Sequence, residues 1–419
     1  MEQLKKIFFL GVLILLIVPA QMARAEGPSA IDRRVSAIPA ATLLSRPPAQ
    51  LVDQNRQAAA QQLTRLTRPA WFVSVFLEIA ILLYLWRSGW AARVRDRLRL
   101  MMPWAFPVRF VFGAFLVGAV TAATLLPSFY DYRVLRIMGL STESFGNWIR
   151  DVMIATALEA LVVGVCVAVV LWLVDRTHWW WAWVVAGIFG VTFFLSYLYP
   201  IVVEPLFNHF APLPRTGDLS IRIRALARRA GEGELPIYVS DLSRRTKAGN
   251  AYVVGIGPSK RIVIGDTLLS SATPDEIVFV VAHELGHDVH RDTFKGSIFA
   301  SVMFIFAAAL AVLMADRLGF RRDDDPLSRI ALVAALLAVL YVVLLPVTNG
   351  YSRIVESAAD AYGLHLTADK VAGARTFVRF ADEDLALLCP GRLARIWWYS
   401  HPPLGTRISV MNGQANPCP

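Results

Sequence analysis

The stretch "VFVVAHELGHDVHRDTF" (residues 278–294) contains the pattern H-E-x-x-H, formed by His283, Glu284 and His287. Residues four apart lie on one face of an α-helix, about 6 Å apart along its axis. Both imidazoles can therefore coordinate one metal ion, and Glu284 can reach a water molecule bound beside them. Two histidines are too few for a catalytic metal site, so we expect a third ligand elsewhere in the chain.

The surrounding residues predict a buried helix. Thr273, Pro274 and Glu276 form the start signal of a helix of about 17 residues, in which Glu276 bonds back to the N-cap. The apolar run 277–282 indicates burial, which argues against two surface histidines at a charged helix end. His290 lies about 10 Å beyond His283 along the axis, so we exclude it as a ligand of the same ion.

A candidate third ligand lies in "NGYSRIVESAADAYGL" (residues 349–364). Glu356 and Asp360 are four apart on one predicted helix face, among small residues that permit close helix packing. Glu356 as ligand and Asp360 as hydrogen-bond partner of a ligand histidine would complete a His-His-Glu site. On spacing alone, a capping or salt-bridging pair on a surface helix remains open.

Composition indicates a multi-pass membrane protein. Of the 419 residues, 56% are hydrophobic and only 18% are charged, and the mean hydropathy is +0.50, so the apolar excess requires lipid. Six apolar runs approach the roughly 20 residues that cross a bilayer; they are residues 71–86, 107–127, 151–174, 179–203, 297–315 and 329–347. The net charge of +10 comes from arginines spread over loops without a recognition motif, so we expect no nucleic-acid partner.

The chain divides into four regions. Residues 1–25 have the layout of a signal peptide or an N-terminal anchor helix, and residues 26–70 predict a polar, exposed arm with a helix near residues 49–67. Residues 71–203 form the N-terminal transmembrane helices. Residues 204–419 carry the metal site and the last two spans, with one amphipathic helix ("DLSIRIRALARRAG") and three short strands ("LPIYVSD", "NAYVVGIG" and "KRIVIGD"). The expected fold is a multi-pass α-helical membrane protein with a small α+β domain.

Five stretches together resemble a known family; they are "EPLFNHFAPL", "GNAYVVGIGPSKRIVIGDTLL", "VAHELGHDVHRD", "SRIVESAADAYGL" and "SHPPLGTRI". The chain is similar to the type I CAAX prenyl proteases and their bacterial relatives, which are integral-membrane zinc endopeptidases. The resemblance implies six to seven helices around a water-filled chamber, which Glu78 and Glu159 would line because a carboxylate is costly in lipid. It also implies one Zn²⁺ per chain; the ligands are His283, His287 and Glu356, with Glu284 as general base and Asp360 supporting a ligand.

The resemblance also assigns residues to substrate. "GNAYVVG" looks like the edge strand to which an extended polypeptide adds, with Asn250, Ala251 and Tyr252 as contacts. "HPPLGTR" would bring His401 and Arg407 to the site as catalytic groups that stabilise the oxyanion. A structural turn is the alternative reading of both stretches.

The predicted function is zinc-dependent hydrolysis of membrane-associated or misfolded polypeptides. A non-catalytic zinc-binding scaffold and a transporter or channel are the alternatives. The scaffold does not require the intact Glu284, and a transporter gives no reason for H-E-x-x-H.

Charge distribution predicts the orientation in the cell membrane. The loop after the first mature span carries five arginines and one acid, which places it in the cytoplasm. Counting spans forward puts the catalytic domain outside, where Cys389 and Cys418 could pair. The eukaryotic members have the catalytic side in the cytosol, so the two arguments conflict, and we favour the outer face.

Overall fold

The computed structural model describes residues 28–318 and 326–418, so the predicted signal peptide or anchor at residues 1–25 lies outside the described residues. The described helices are, in chain order, α1 Pro28–Ser36, α2 Ala40–Ser45, α3 Pro48–Leu51, α4 Gln54–Arg87, α5 Trp90–Met101, α6 Ala105–Ile137, α7 Phe145–Arg176, α8 Trp180–Leu198, α9 Glu204–Phe207, α10 Asp218–Arg229, α11 Asp266–Ser271, α12 Pro274–Val289, α13 Asp292–Arg317, α14 Pro326–Thr367, α15 Lys370–Glu383, α16 Arg392–Trp398 and α17 Leu404–Asn412. The strands are β1 Phe210–Pro212, β2 Ile237–Ser240, β3 Ala251–Val254 and β4 Arg261–Gly265.

The membrane region agrees with the predicted spans. Within the described residues, α4, α6, α7, α13 and α14 are long and apolar enough to cross a bilayer, and a sixth span results if the bent pair around α8 counts as one. The fourth predicted run is interrupted by a π-helix at Tyr199–Val203, which contains Pro200. The expected multi-pass helical fold with a small α+β domain is confirmed.

Several spans extend well beyond the bilayer. The 34 residues of α4 join the helix predicted in the arm to the first span, with Pro69 inside it. The 42 residues of α14 continue from the last span to Thr367, so Glu356 and Asp360 lie on the same helix that crosses the membrane. At 1.5 Å per residue, α14 is about 63 Å long, twice the apolar thickness of a bilayer.

The segment predicted as an exposed arm is packed against the catalytic domain. The buried apolar residues of α1–α3 and the turn that follows join one core with α12, α15 and α17; they are Ile31, Val35, Leu43, Leu51 and Val52. Arg379 on α15 is fully buried, and its guanidinium contacts Asp32 of the arm (3.2 Å), Glu276 (2.8 Å) and Glu383 (3.0 Å). The expectation of exposure was wrong. Polar residues dominate the composition of the arm, but its few apolar residues are the ones that pack against the catalytic domain.

The three predicted strands form part of a four-stranded sheet in the order β1-β2-β4-β3. β2 and β4 are parallel, whereas β1 pairs with β2 and β3 pairs with β4 in the antiparallel sense. β1 was not predicted, because a strand of three residues is too short to show an alternating pattern. β3 has one strand neighbour among the described residues, so it is an edge strand, as expected.

The helix α12 packs between this sheet and α14. Its predicted start is confirmed: Thr273 is the N-cap, Pro274 is the first residue, and Glu276 completes the capping box. Glycine permits the close approach of α12 to α14, because a methyl group at Gly363 would lie 3.1 Å from the backbone nitrogen of His283. At Gly286 it would lie 3.2 Å from the Cα of Ala359. The small residues that predicted close packing therefore face the H-E-x-x-H helix.

Candidate metal centre

Three predicted ligand residues converge at the crossing of α12 and α14. The Nε2 atoms of His283 and His287 are 3.2 Å apart, and the Glu356 carboxylate lies 3.3 Å from the first and 3.6 Å from the second. One ligand atom from each residue fits within 4.8 Å of the others, which makes this a group that could hold a metal ion. His290 lies outside it and stacks edge-on against Tyr362 instead.

The spacing of these atoms fits a tetrahedral ion. Ligands at about 2.05 Å from a tetrahedral centre are about 3.3 Å from one another. The Oε2 atom of Glu356 is buried and accepts no well-oriented hydrogen bond from the described residues, so a cation would satisfy it. The residues present therefore fit a divalent metal of the size of zinc.

Carboxylates orient both histidines. His283 Nδ1 is 2.9 Å from Asp360 Oδ1, and His287 Nδ1 is 3.0 Å from Asp292 Oδ2. A carboxylate at Nδ1 keeps the proton there and leaves the Nε2 lone pair for the metal. Burial lowers the pKa of His283, but Asp360 and Glu356 outweigh it and raise that pKa to about 9, so the surrounding carboxylates favour positive charge at this position.

The sequence analysis missed Asp292. The chain turns sharply after α12 because Arg291 adopts a left-handed conformation (φ 56°), and Asp292, the first residue of α13, then folds back onto His287. The sequence does show an acidic residue five positions after His287. Spacing alone cannot reveal its contact with His287, because that contact depends on the turn at Arg291.

Arg407 is placed differently from the expectation that it stabilises an oxyanion. Its Nε and Nη2 atoms donate to the two oxygens of Asp360, at 2.8 and 2.6 Å, and its guanidinium lies over the Phe377 ring. The side chain is buried, and both of these donors are occupied by Asp360. This geometry favours a role for Arg407 in holding Asp360 against His283.

Glu284 and His401 border the open side of the metal group. Glu284 Oε1 is 4.0 Å from His283 Nε2, and burial raises the pKa of its carboxyl, although the two histidines oppose this shift. His401 Nε2 is 3.2 Å from Glu356 Oε1, and its side chain is half-exposed. Burial lowers the pKa of His401, with Glu356 opposing.

The edge strand β3 contains or adjoins the three predicted substrate contacts. The carbonyl of Asn250 accepts a hydrogen bond from the Gly265 amide at 2.8 Å, so Asn250 and Tyr252 direct their backbone groups towards β4. By alternation, the backbone groups of Ala251 and Val253 face outward from the sheet. The Asn250 side chain is exposed, whereas that of Tyr252 is directed at Glu204, which is paired with Arg261 at 2.8 Å.

Two further predicted features can be located. Cys389 and Cys418, whose pairing the sequence left open, form a disulfide with a Cα–Cα distance of 5.1 Å. Glu78 on α4 and Glu159 on α7 lie close enough to interact electrostatically, which agrees with a shared interior space. The chamber itself stays a prediction.

A His-His-Glu group with an adjacent carboxylate, carried on α12 and on the extension of the membrane-spanning helix α14, defines a membrane metallopeptidase of the H-E-x-x-H type. Comparisons with known proteins agree with this class. Residues 214–415 match peptidase family M48, and residues 40–209 match the CAAX prenyl protease N-terminal family, described as five membrane helices.

The chain is 31% identical to the uncharacterized metalloprotease YhfN of Bacillus subtilis over 384 residues, 88% of each chain. It is 30% identical to a CAAX prenyl protease 1 homolog of Arabidopsis thaliana, over 72% of this chain and 73% of that one. The crystal structure of S. mikatae Ste24p superposes with a TM-score of 0.75 over 92% of this chain and 96% of the other, at 23% identity, and so shares the fold.

The chain thus belongs to peptidase family M48, in the branch of the CAAX prenyl proteases. It is a multi-pass membrane metalloendopeptidase. The comparisons give no support to a non-catalytic scaffold or a transporter.

Proposed function

We propose that the enzyme holds one zinc ion on His283, His287 and Glu356 and hydrolyses peptide bonds with Glu284 as general base. The observation that carries this proposal is the convergence of the two histidine Nε2 atoms, 3.2 Å apart, on the Glu356 carboxylate, whose Oε2 lies 3.3 Å from His283 and whose Oε1 lies 3.6 Å from His287. A bound zinc ion would polarise the scissile carbonyl and acidify a water molecule.

The surrounding residues have separate tasks. Glu284 accepts the proton of the attacking water, for which a raised pKa makes its carboxylate a stronger base. Asp360 and Asp292 fix the two imidazoles, and Arg407 fixes Asp360. His401, at the exposed edge of the site, can donate a hydrogen bond to the developing oxyanion.

Glu284→Gln tests the assignment of the base. The purified variant should retain zinc and its melting temperature but lose about 10²- to 10⁴-fold in the cleavage rate of an unfolded polypeptide. Asp275→Asn is a matched control on the same helix, since Asp275 is exposed and, within the described residues, its ion pair is with Arg222 on the surface. Cleavage by Glu284→Gln at the rate of the control would refute the mechanism.

We propose that substrate adds to β3 as an extended strand. The outward amides of Ala251 and Val253 would pair with its backbone, and the exposed Asn250 side chain would bind the next peptide group. Backbone pairing tolerates many sequences, which suits membrane-associated or misfolded polypeptides. The named relatives include CAAX prenyl proteases, so a lipid-modified peptide belongs among the substrates tested.

Proline scanning tests this binding mode. Val253→Pro removes an outward amide without removing a bond to β4, so it should raise KM several-fold and spare zinc binding. Tyr252→Pro removes an inward amide and should instead destabilise the sheet. An unchanged KM for Val253→Pro, measured with the folded variant, would exclude strand addition there.

We further propose that the catalytic domain faces the outside of the cell membrane. The N-terminal end of α4 packs on that domain through Asp53 and Arg56, and its other end leads to the arginine-rich α5, so the two lie at opposite membrane faces. The Cys389–Cys418 disulfide also favours an oxidising side.

Cysteine labelling in intact cells tests the orientation. In a Cys166→Ser background, an impermeant maleimide should label Glu234→Cys, which lies in an exposed loop of the catalytic domain. It should not label Arg97→Cys, which is exposed on α5. The reverse labelling would place the catalytic domain in the cytoplasm.

A further inference from the structure

The Cys389–Cys418 disulfide lies directly against the turn that carries His401 and Arg407. Gly405 is the point of contact: a methyl group there would lie 2.7 Å from Cys418 Sγ and 3.0 Å from Cys389 Sγ. The amide of Gly405 also donates to the carbonyl of Leu388, the neighbour of Cys389, at 2.9 Å. The turn therefore rests on both halves of the disulfide.

Besides the disulfide, hydrogen bonds hold the segment after α17, and one of them joins Gln414 Nε2 to the carbonyl of Leu44 at 3.1 Å. Gly413 reverses the chain after α17 with φ 71°. Thr406 Oγ1 then donates to Asn416 Oδ1 at 3.1 Å, and Ser409 Oγ lies 3.2 Å from the carbonyl of Ala415. The bond to Cys389 adds a covalent link that holds Cys418 behind Gly405.

The turn is connected to the metal ligands by an unbroken set of contacts. Gly405 is two residues from Arg407, whose guanidinium makes two bonds to Asp360, and Asp360 contacts the Nδ1 atom of His283. A two-bond contact demands a fixed position of the guanidinium plane. A shift of the turn would therefore loosen the support of His283.

We propose that the Cys389–Cys418 disulfide is a positioning element of the peptidase site, so that the enzyme is fully active only in its oxidised form. This inference rests on the proposed function of His283, Arg407 and Asp360. In the switching step, a thiol reductant supplies two electrons and two protons, the S–S bond becomes two thiols, and the reductant is oxidised to its own disulfide. The site would thus lose most of its activity wherever thiols are kept reduced.

The test compares the full-length Cys389→Ala/Cys418→Ala variant with wild type, and uses Cys166→Ala as the matched control, because Cys166 is an unpaired, exposed cysteine on α7. The double variant should lose about 10- to 100-fold in kcat, the usual effect of disturbing the partner of a metal ligand, with KM within about threefold. Its zinc affinity, measured by chelator competition, should fall in the same range. Hydrogen exchange should accelerate at the Gly405 and Arg407 amides but not in α12.

A second variant separates positioning from general stability. Arg407→Lys keeps the charge but cannot make both bonds to Asp360. If the disulfide acts through Arg407, removing it in the Arg407→Lys background should cost little more activity, whereas independent effects would add. Additive losses, wild-type kcat in the double cysteine variant, or faster exchange throughout α12 would each overturn the inference. Failure of the oxidised wild type to cleave would instead refute the proposed function.

Discussion

The contact between α12 and α14 offers a sharp test of how the metal site is built. Gly363 faces the backbone of His283, and an added methyl group would lie 3.1 Å from its nitrogen and 3.3 Å from its Cα. Ordinary contacts of this kind are several tenths of an ångström longer, and backbone atoms cannot swing aside. Gly363→Ala must therefore separate the two helices locally by about 0.3–0.5 Å.

That displacement is large for a metal site. Glu356 on α14 is 3.3 Å from His283 Nε2 on α12, near the tetrahedral ideal, and tolerated deviations in ligand distance are about 0.2 Å. We expect zinc affinity to fall about 10- to 100-fold, or about 1.4–2.7 kcal/mol. Helix propensity acts in the opposite direction, because alanine stabilises a helix interior by about 1 kcal/mol relative to glycine, so the melting temperature should change little.

The assay is competition for zinc with a chelator, followed by a thermal melt of the same sample. Gly350→Ala is the matched control, since it lies on the same helix and its added methyl would make an ordinary van der Waals contact, 3.7 Å from Arg353 Nη2. The control should keep its zinc affinity. If Gly363→Ala binds zinc as tightly as Gly350→Ala, the close helix approach does not set the ligand geometry.

Three further variants test other parts of the site and its support. Asp292→Asn should weaken zinc binding about 10- to 100-fold by releasing His287, whereas the surface change Asp275→Asn should not; equal affinities would contradict the role of Asp292. Thr273→Ala removes the N-cap of α12 and should lower the free energy of unfolding by about 1 kcal/mol, as urea titration would show. Burial and the hydrogen bond from Asp32 raise the pKa of Glu383 to about 8, above its usual 4.5, although Arg379 opposes this. The stability contributed by Glu383 is thus present below its usual pKa and lost as pH rises through 8. The melting temperature of the wild type should therefore fall between about pH 5 and pH 9, and this fall should be smaller in Glu383→Gln. Parallel melting-temperature curves for the two proteins would contradict this.

The sequence predicted the parts of the site that depend on helical spacing. His283 and His287 share a face because they are four apart, and the same holds for Glu356 and Asp360. The small residues beside them indicated that the two helices could approach closely, and Gly286, Ala359 and Gly363 do form that contact. Amphipathic periodicity likewise located α10 and three of the four strands.

Features that depend on tertiary contacts between distant segments were not predictable. The role of Asp292 depends on the left-handed turn at Arg291, and the position of Arg407 depends on a contact with a residue 47 positions away. The arm looked exposed because polar residues dominate it, yet Ile31 and Val35 are buried under α15. In each case, the position of the residue depends on the residue it contacts, and the sequence alone does not identify that contact.

The continuity of α14 explains how a membrane helix can carry a precise metal ligand. Pro346 is ten residues before Glu356, about 15 Å along the axis, so a tilt of about 5° within the membrane would move Glu356 by about 1.3 Å. Such a shift would disrupt a site built from α14 and an independent helix. Here α12 is in backbone contact with α14 at Gly286, which lies between the two ligand histidines, and at Gly363, which lies against His283, so we expect both helices to tilt together. The two histidines therefore keep their distance to Glu356 when α14 tilts in the bilayer. The close contact between α12 and α14 is what allows a hydrolytic site to lie at the end of a transmembrane helix.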